Sequence, residues 1–130
     1  MKQFSLFFVA AALLFSSCGK DKTKTELLTG KWKVTDLTVA GVNTFASVPA
    51  CQKDDFVTFS ASGTVISDEG ATKCSASSPQ TSTQTWSWSS NETILVVGSD
   101  PFTLTSLTEK TLVLTTASSN GTRVSTLTKF

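Results

Sequence analysis

Three cysteines, ten acidic side chains and no histidine delimit the chemistry open to this chain of 130 residues. Without histidine, the commonest general base and the commonest metal ligand are both missing. A serine nucleophile would then need lysine as its base, and from residue 26 onward no serine stands in a Ser-x-x-Lys or Gly-x-Ser-x-Gly setting. No catalytic residue, metal or cofactor is expected. Cys51 and Cys74 have neither CxxC nor zinc-ligand spacing, but they flank a predicted hairpin. Residues 55–60 and 64–67 lie either side of Ala61-Ser62-Gly63, a short connection with glycine near its end. If paired residue numbers sum to about 123, Cys51 faces Thr72, two positions from Cys74. A disulfide across the open end of the hairpin follows, stabilising by about 3 kcal/mol in the chain-entropy model; the alternative is two unrelated thiols. The same register sets Asp54 opposite Glu69 and Asp55 opposite Asp68. Four acids gathered there could supply calcium with several of its oxygen ligands, or they could be a solvated strand end screened by Lys53 and Lys73.

The third cysteine belongs to an address. After Lys2, residues 4–15 are apolar except for Ser5, and Ser16, Ser17 and Cys18 follow. Twelve helical residues reach about 18 Å, short of a hydrocarbon core of ~30 Å, so residues 1–17 form a signal peptide and not a membrane span. The short residues before Cys18 resemble the bacterial lipobox, with Phe15 where leucine is usual. That resemblance implies cleavage before Cys18 and acylation of its thiol and new amine; the alternative is an ordinary secretory peptide cleaved nearby. Several acyl chains make a stable anchor. Gly19 after the cysteine implies, by likeness to known lipoproteins, the outer membrane, on its periplasmic or its surface side. Such a compartment is oxidising enough for the Cys51–Cys74 bridge. Residues 18–25, polar and without apolar periodicity, are expected to be the lipidated tether.

What must position these groups is mostly β-structure. The chain holds 22 Thr and 19 Ser, with too little Ala, Leu, Glu and Lys for a helical bundle. Residues 26–130 are read as one domain, in which one helical turn near residues 26–29 leads into Gly30 and eight strands follow. Trp32 and Val34 share one parity while Leu37 and Val39 take the other, which requires a bulge near Thr35 or Asp36. Trp86 and Trp88 alternate with Thr85, Ser87 and Ser89, and Ile94-Leu95-Val96-Val97 is continuously apolar. Asn120-Gly121 marks a type I′ hairpin turn, and four tight turns in succession make the last five strands a meander. Residues 70–82 are the one long loop, a mobile lid or simply a connection. Eight antiparallel strands in series are best served by an up-and-down barrel, which leaves no exposed edge; a two-sheet β-sandwich is the alternative. The inward candidates are Trp32, Val34, Leu37, Phe56, Phe59, Val65, Trp86, Trp88, Phe102, Leu104, Leu112, Leu114 and Leu127.

Gly30-Lys31-Trp32 at the head of the first strand is similar to the Gly-x-Trp signature of the lipocalin superfamily. Leu28, Gly30 and Trp32, then Cys51, Asp54, Asp55 and Phe59, a glycine turn and Cys74 together resemble the lipocalin-like domain of Bacteroidota lipoproteins. The resemblance implies that Trp32 closes the barrel floor beneath an arginine of the last strand, and Arg123 is the only arginine present. It implies a binding barrel for a small apolar or amphipathic molecule, with Trp86, Trp88 and Phe102 against the ligand. The competing reading is a filled barrel that serves as a protein-interaction module, an envelope assembly partner or hydrolase inhibitor. The barrel lipoproteins that inhibit lysozyme rely on a Tyr-bearing loop, and this chain has no Tyr. A net charge of +1 gives no electrostatic reason to expect nucleic acid. A monomer is expected.

Overall fold

The computed structural model describes residues 19–130; Cys18 and the predicted signal peptide lie outside the described residues. A short helix α1 (Lys24–Leu28) leads into β1 (Gly30–Val39), β2 (Val42–Asn43), a 3-10 turn (Phe45–Ser47), and α2 (Ala50–Lys53). Seven strands follow: β3 (Phe56–Phe59), β4 (Thr64–Asp68), β5 (Thr81–Ser89), β6 (Ile94–Val97), β7 (Asp100–Leu107), β8 (Thr111–Ser118) and β9 (Gly121–Lys129). Each strand from β3 to β8 pairs antiparallel with the next, β1 pairs with β3, and β9 pairs back onto β1. Eight strands therefore close an up-and-down barrel, and no open two-layer sandwich forms. The two-residue β2, absent from the predicted set, hangs on the far end of β1 through the turn Ala40-Gly41. Both turn residues have positive φ, 49° and 82°, as a type I′ hairpin requires.

The bulge in β1 lies between Val34 and Asp36. It absorbs Thr35 and returns Leu37 to the inner face with Trp32 and Val34. A second irregularity in β7, between Leu104 and Ser106, does the same for Leu104 and Leu107. The core consists of Leu28, Trp32, Phe59, Val65, Trp86, Leu95, Leu112, Leu114 and Leu127, with Trp88, Phe102 and Leu104 packed against it. Leu28 and Leu95 were missing from the inward candidates. Phe56 is a correction in the other sense: pleating cannot place it and Phe59 on one face. Its ring lies outside the wall, edge-on to Phe130 at 5.8 Å and under the Lys31 ammonium at 5.2 Å.

Two turns differ from expectation. The three-residue connection sets Ser60 opposite Thr64 and Phe56 opposite Asp68, so the hairpin register is one residue from the predicted one. The last hairpin pairs Ser118 with Gly121, which makes Ser119 and Asn120 its central residues; there only Gly121 has positive φ, at 109°. The helix α1 starts two residues inside the predicted tether because Thr23 and Glu26 form a capping box. The Thr23 N–H donates to Glu26 Oε2 at 2.7 Å, and its hydroxyl accepts from the Glu26 N–H at 3.2 Å. The Thr23 backbone N–H, with its hydroxyl, holds the Glu26 carboxyl below its ordinary pKa.

Candidate functional site

One end of the barrel is packed solid. Trp32 is fully buried, and its indole N–H donates to the Leu28 carbonyl at 2.6 Å. β1 and β9 are in register with Trp32 opposite Lys129, and the Lys129 ammonium stands 4.8 Å from the centre of the indole ring. The same ammonium donates to the carbonyls of Leu27 and Thr29, at 2.5 and 2.8 Å, so one cation satisfies the end of α1 and covers the ring. Burial draws the Lys129 pKa down, helped by Lys22 and Lys110 and opposed by Glu109. The expected closure by Arg123 is thus corrected. Arg123 pairs with Val39, six residues up β9, or about 20 Å along a strand.

Trp86 and Trp88 belong to the packed half as well. Their rings meet edge-on at 5.8 Å, and Trp86 meets Phe59 in the same way at 6.0 Å. The Trp86 N–H donates to the Ser60 carbonyl at 2.9 Å and the Trp88 N–H to the Thr25 hydroxyl at 3.2 Å. With their polar atoms engaged within the fold, both indoles are core, and Phe102 packs beside them across its pairing with Leu95. These three residues lie outside the cavity described next.

The other half is hollow. Above Trp32 lies a cavity of about 550 Å³, walled by Val34, Leu37, Val57 and Leu127. It exists because small residues hold inward positions there. Ser67 pairs with Ser82 across β4 and β5, Leu37 pairs with Ser125 across β1 and β9, and both Ser67 and Ser82 line the space. Its roof comes from two segments. Phe45, Val48 and Gln52 cover it from the 3-10 turn and α2, and Ser78, Pro79 and Gln80 from the loop of residues 69–80. Cys51 on α2 and Cys74 on that loop form the expected disulfide, with Cα atoms 5.1 Å apart. A wider, more open depression lies outside the wall against Phe56 and Phe130.

Charge is confined to the mouth. Asp55, Asp68, Glu69 and Arg123 line it. The true hairpin register sets Asp55 opposite Glu69, whereas Asp54 falls to the alternate face and binds the loop: its Oδ2 accepts from the Thr72 N–H at 2.8 Å. Asp68 accepts from the Gly70 N–H at 2.9 Å and the Gln80 side-chain amide at 2.7 Å. Asp55 and Glu69 therefore belong to the cavity and Asp54 to the loop, while Asp68 touches both. Among the described residues no three acidic or cysteine side chains gather closely enough to hold a metal ion. One oxygen each of Asp54, Asp55 and Glu69 is buried without a partner. Burial, and then the carboxylates of Glu69, Asp54 and Asp68, push the Asp55 carboxyl above its ordinary pKa.

Sequence reasoning found the disulfide, the floor tryptophan and the wall residues Val34, Leu37 and Leu127 among its inward candidates, but missed Lys129, Val57 and the inward serines. The usable clue was parity: once the β1 bulge and the hairpin turn are fixed, Ser67 and Ser82 become the small inward positions.

The family model of the lipocalin-like domain matches residues 28–114, about two thirds of the chain. No curated protein matches the chain in sequence. Among solved structures, the chain is similar to an uncharacterized protein from Bacteroides eggerthii at 13% identity and a TM-score of 0.49, covering 79% of this chain and 99% of that one. It is also similar to a lipocalin-like protein from Bacteroides uniformis at 14% identity and a TM-score of 0.47, covering 80% and 99%. With the family model matched over residues 28–114, a closed eight-stranded barrel and a Gly-x-Trp entry strand, the chain belongs to the family of lipocalin-like domains.

Proposed function

We propose that this is a lipid-anchored binding protein of the bacterial outer membrane that holds one small apolar or amphipathic molecule in the cavity above Trp32. The cavity carries the proposal. About 550 Å³ falls within the ~300–1,000 Å³ of ordinary ligand sites, and an apolar wall with a few polar groups at one end is their usual chemistry. An apolar body would lie against Val34, Leu37, Val57 and the Trp32 floor, leaving its polar end at the mouth. Buried carboxylates there disfavour an anionic head and favour a neutral or cationic one. Binding without turnover agrees with the absence of histidine. The anchor reading is supported by the apolar run of residues 4–15 and the short residues before Cys18.

Titration with N-phenyl-1-naphthylamine, exciting tryptophan, tests the cavity. Energy transfer from the tryptophans to the bound probe is the expected result, and Leu37→Trp, which fills the space, should abolish probe binding, and the transfer with it, while leaving the fold intact. A probe that binds wild type and variant alike would sink this assignment. Mass spectrometry of the membrane-extracted chain tests the anchor: acyl mass on a chain beginning at Cys18 is expected, and its loss in Cys18→Ser.

A further inference from the structure

We propose that the Cys51–Cys74 disulfide is a redox latch on the cavity roof, so that its reduction by a dithiol frees the mouth and speeds exchange of the bound molecule. The effect on exchange rests on the cavity being the binding site.

The roof is assembled from segments that meet at this bond. Gln52, next to Cys51, covers the cavity from α2, and Ser78 and Pro79 cover it from the loop carrying Cys74. At its base the loop is well held by Thr72 on Asp54 and by Gln80 on Asp68. Beyond that base its hydrogen bonds turn inward on itself. Lys73 donates to the carbonyls of Ser78 and Ala76, Ser75 bonds Ser77, and the Ser78 N–H donates to the Ser75 carbonyl at 3.1 Å. The facing segment is likewise closed on itself: the Gln52 N–H donates to the Pro49 carbonyl and Lys53 to the Ala46 carbonyl. Among the described residues, then, the covalent bond is what ties the loop tip to α2.

Reduction need not open the barrel. The bond spans the β3–β4 hairpin, whose ladder from Phe56 opposite Asp68 to Phe59 opposite Val65 closes independently of it. Cys74 is exposed and Cys51 half-buried, so a reductant reaches the Cys74 sulfur first. Its thiolate attacks that sulfur, the S–S bond breaks, and Cys51 leaves as a thiolate that takes up a proton. The reductant's second thiol then displaces Cys74, and two electrons and two protons have passed from the dithiol, which departs as a disulfide.

The test compares the folded wild type, oxidised and after dithiothreitol, by release of N-phenyl-1-naphthylamine in stopped flow and by hydrogen exchange of amides 73–79. Release roughly tenfold faster in the reduced form, faster exchange at those amides and an unchanged near-ultraviolet tryptophan spectrum are expected. The Cys51→Ala/Cys74→Ala variant should match the reduced form and ignore dithiothreitol. Equal release rates, unchanged exchange at residues 73–79, or loss of the tryptophan spectrum on reduction would each overturn the latch. If the probe binds neither form, the binding reading fails and hydrogen exchange alone decides whether the roof is latched.

Discussion

Trp32 is held from three directions: its ring under the Lys129 ammonium, its N–H on the Leu28 carbonyl, and its far side beneath the cavity. Removing the cation should unsettle both the ring and the end of α1. Lys129→Met is expected to cost about 1–2 kcal/mol in chemical denaturation, while Arg123→Ala, at the rim, should cost less than half of that. Equal losses would restore the role to Arg123. The sequence suggested Arg123 because it is the only arginine, yet the cation that matters is chosen by register, and Lys129 stands opposite Trp32. Asp55 gives a prediction with a definite sign. Its folded-state pKa is raised, so the charged carboxylate costs stability in full above that value; the cost declines as pH falls through it and is gone below the ordinary pKa of the unfolded chain. Asp55→Asn should therefore raise the melting temperature at pH 7, with a gain that shrinks toward acid pH.

Among the elements, strand identity was legible and strand phase was not. Alternation at Trp86 and Trp88 and the parity break at Thr35 announced strands and a bulge, because period-two burial is written into the residues themselves. The β3–β4 register depended on how Ala61-Ser62-Gly63 closes, and one residue of slip moves every side chain to the other face. That slip hid the inward serines and separated Asp54 from Asp55 and Glu69, whereas Phe56 lies outside because residues three apart on one strand face opposite ways. Turn signals misled for a related reason: the type I′ geometry sits at Ala40-Gly41 and not at Asn120-Gly121. Gly70 tests how the loop is seated. It has φ of +64°, and a Cβ there would stand 2.4 Å from the Asp54 carbonyl oxygen, a backbone atom that cannot swing aside. Gly70→Ala should lower stability by roughly 1–3 kcal/mol and lift the loop base from α2, visible as faster hydrogen exchange at Thr72.

For the molecule as a whole, the division into a solid half and a hollow half follows from side-chain volume at inward positions, large below and small above. Affinity should accordingly track the ligand's shape and charge. Neutral N-phenyl-1-naphthylamine is expected to bind more tightly than anionic 1-anilinonaphthalene-8-sulfonate, with the gap narrowing as acid protonates Asp55 or as salt screens the mouth. A preference for the anion would mean that Arg123, and not the carboxylates, governs entry.

The position of α1 has a practical corollary. Thr23 enters the barrel beside Trp32, and Phe130 leaves it there too, its N–H on the Lys31 carbonyl. Thr23 and Phe130 are both at the solid end, opposite the mouth. Whatever grips the protein by either terminus, a bilayer or a sensor chip, holds it like the stem of a cup, with the opening turned toward the surrounding water. If the cavity is the binding site we propose, a probe enters it from solution, and the domain immobilised by either end should bind N-phenyl-1-naphthylamine as well as it does when free.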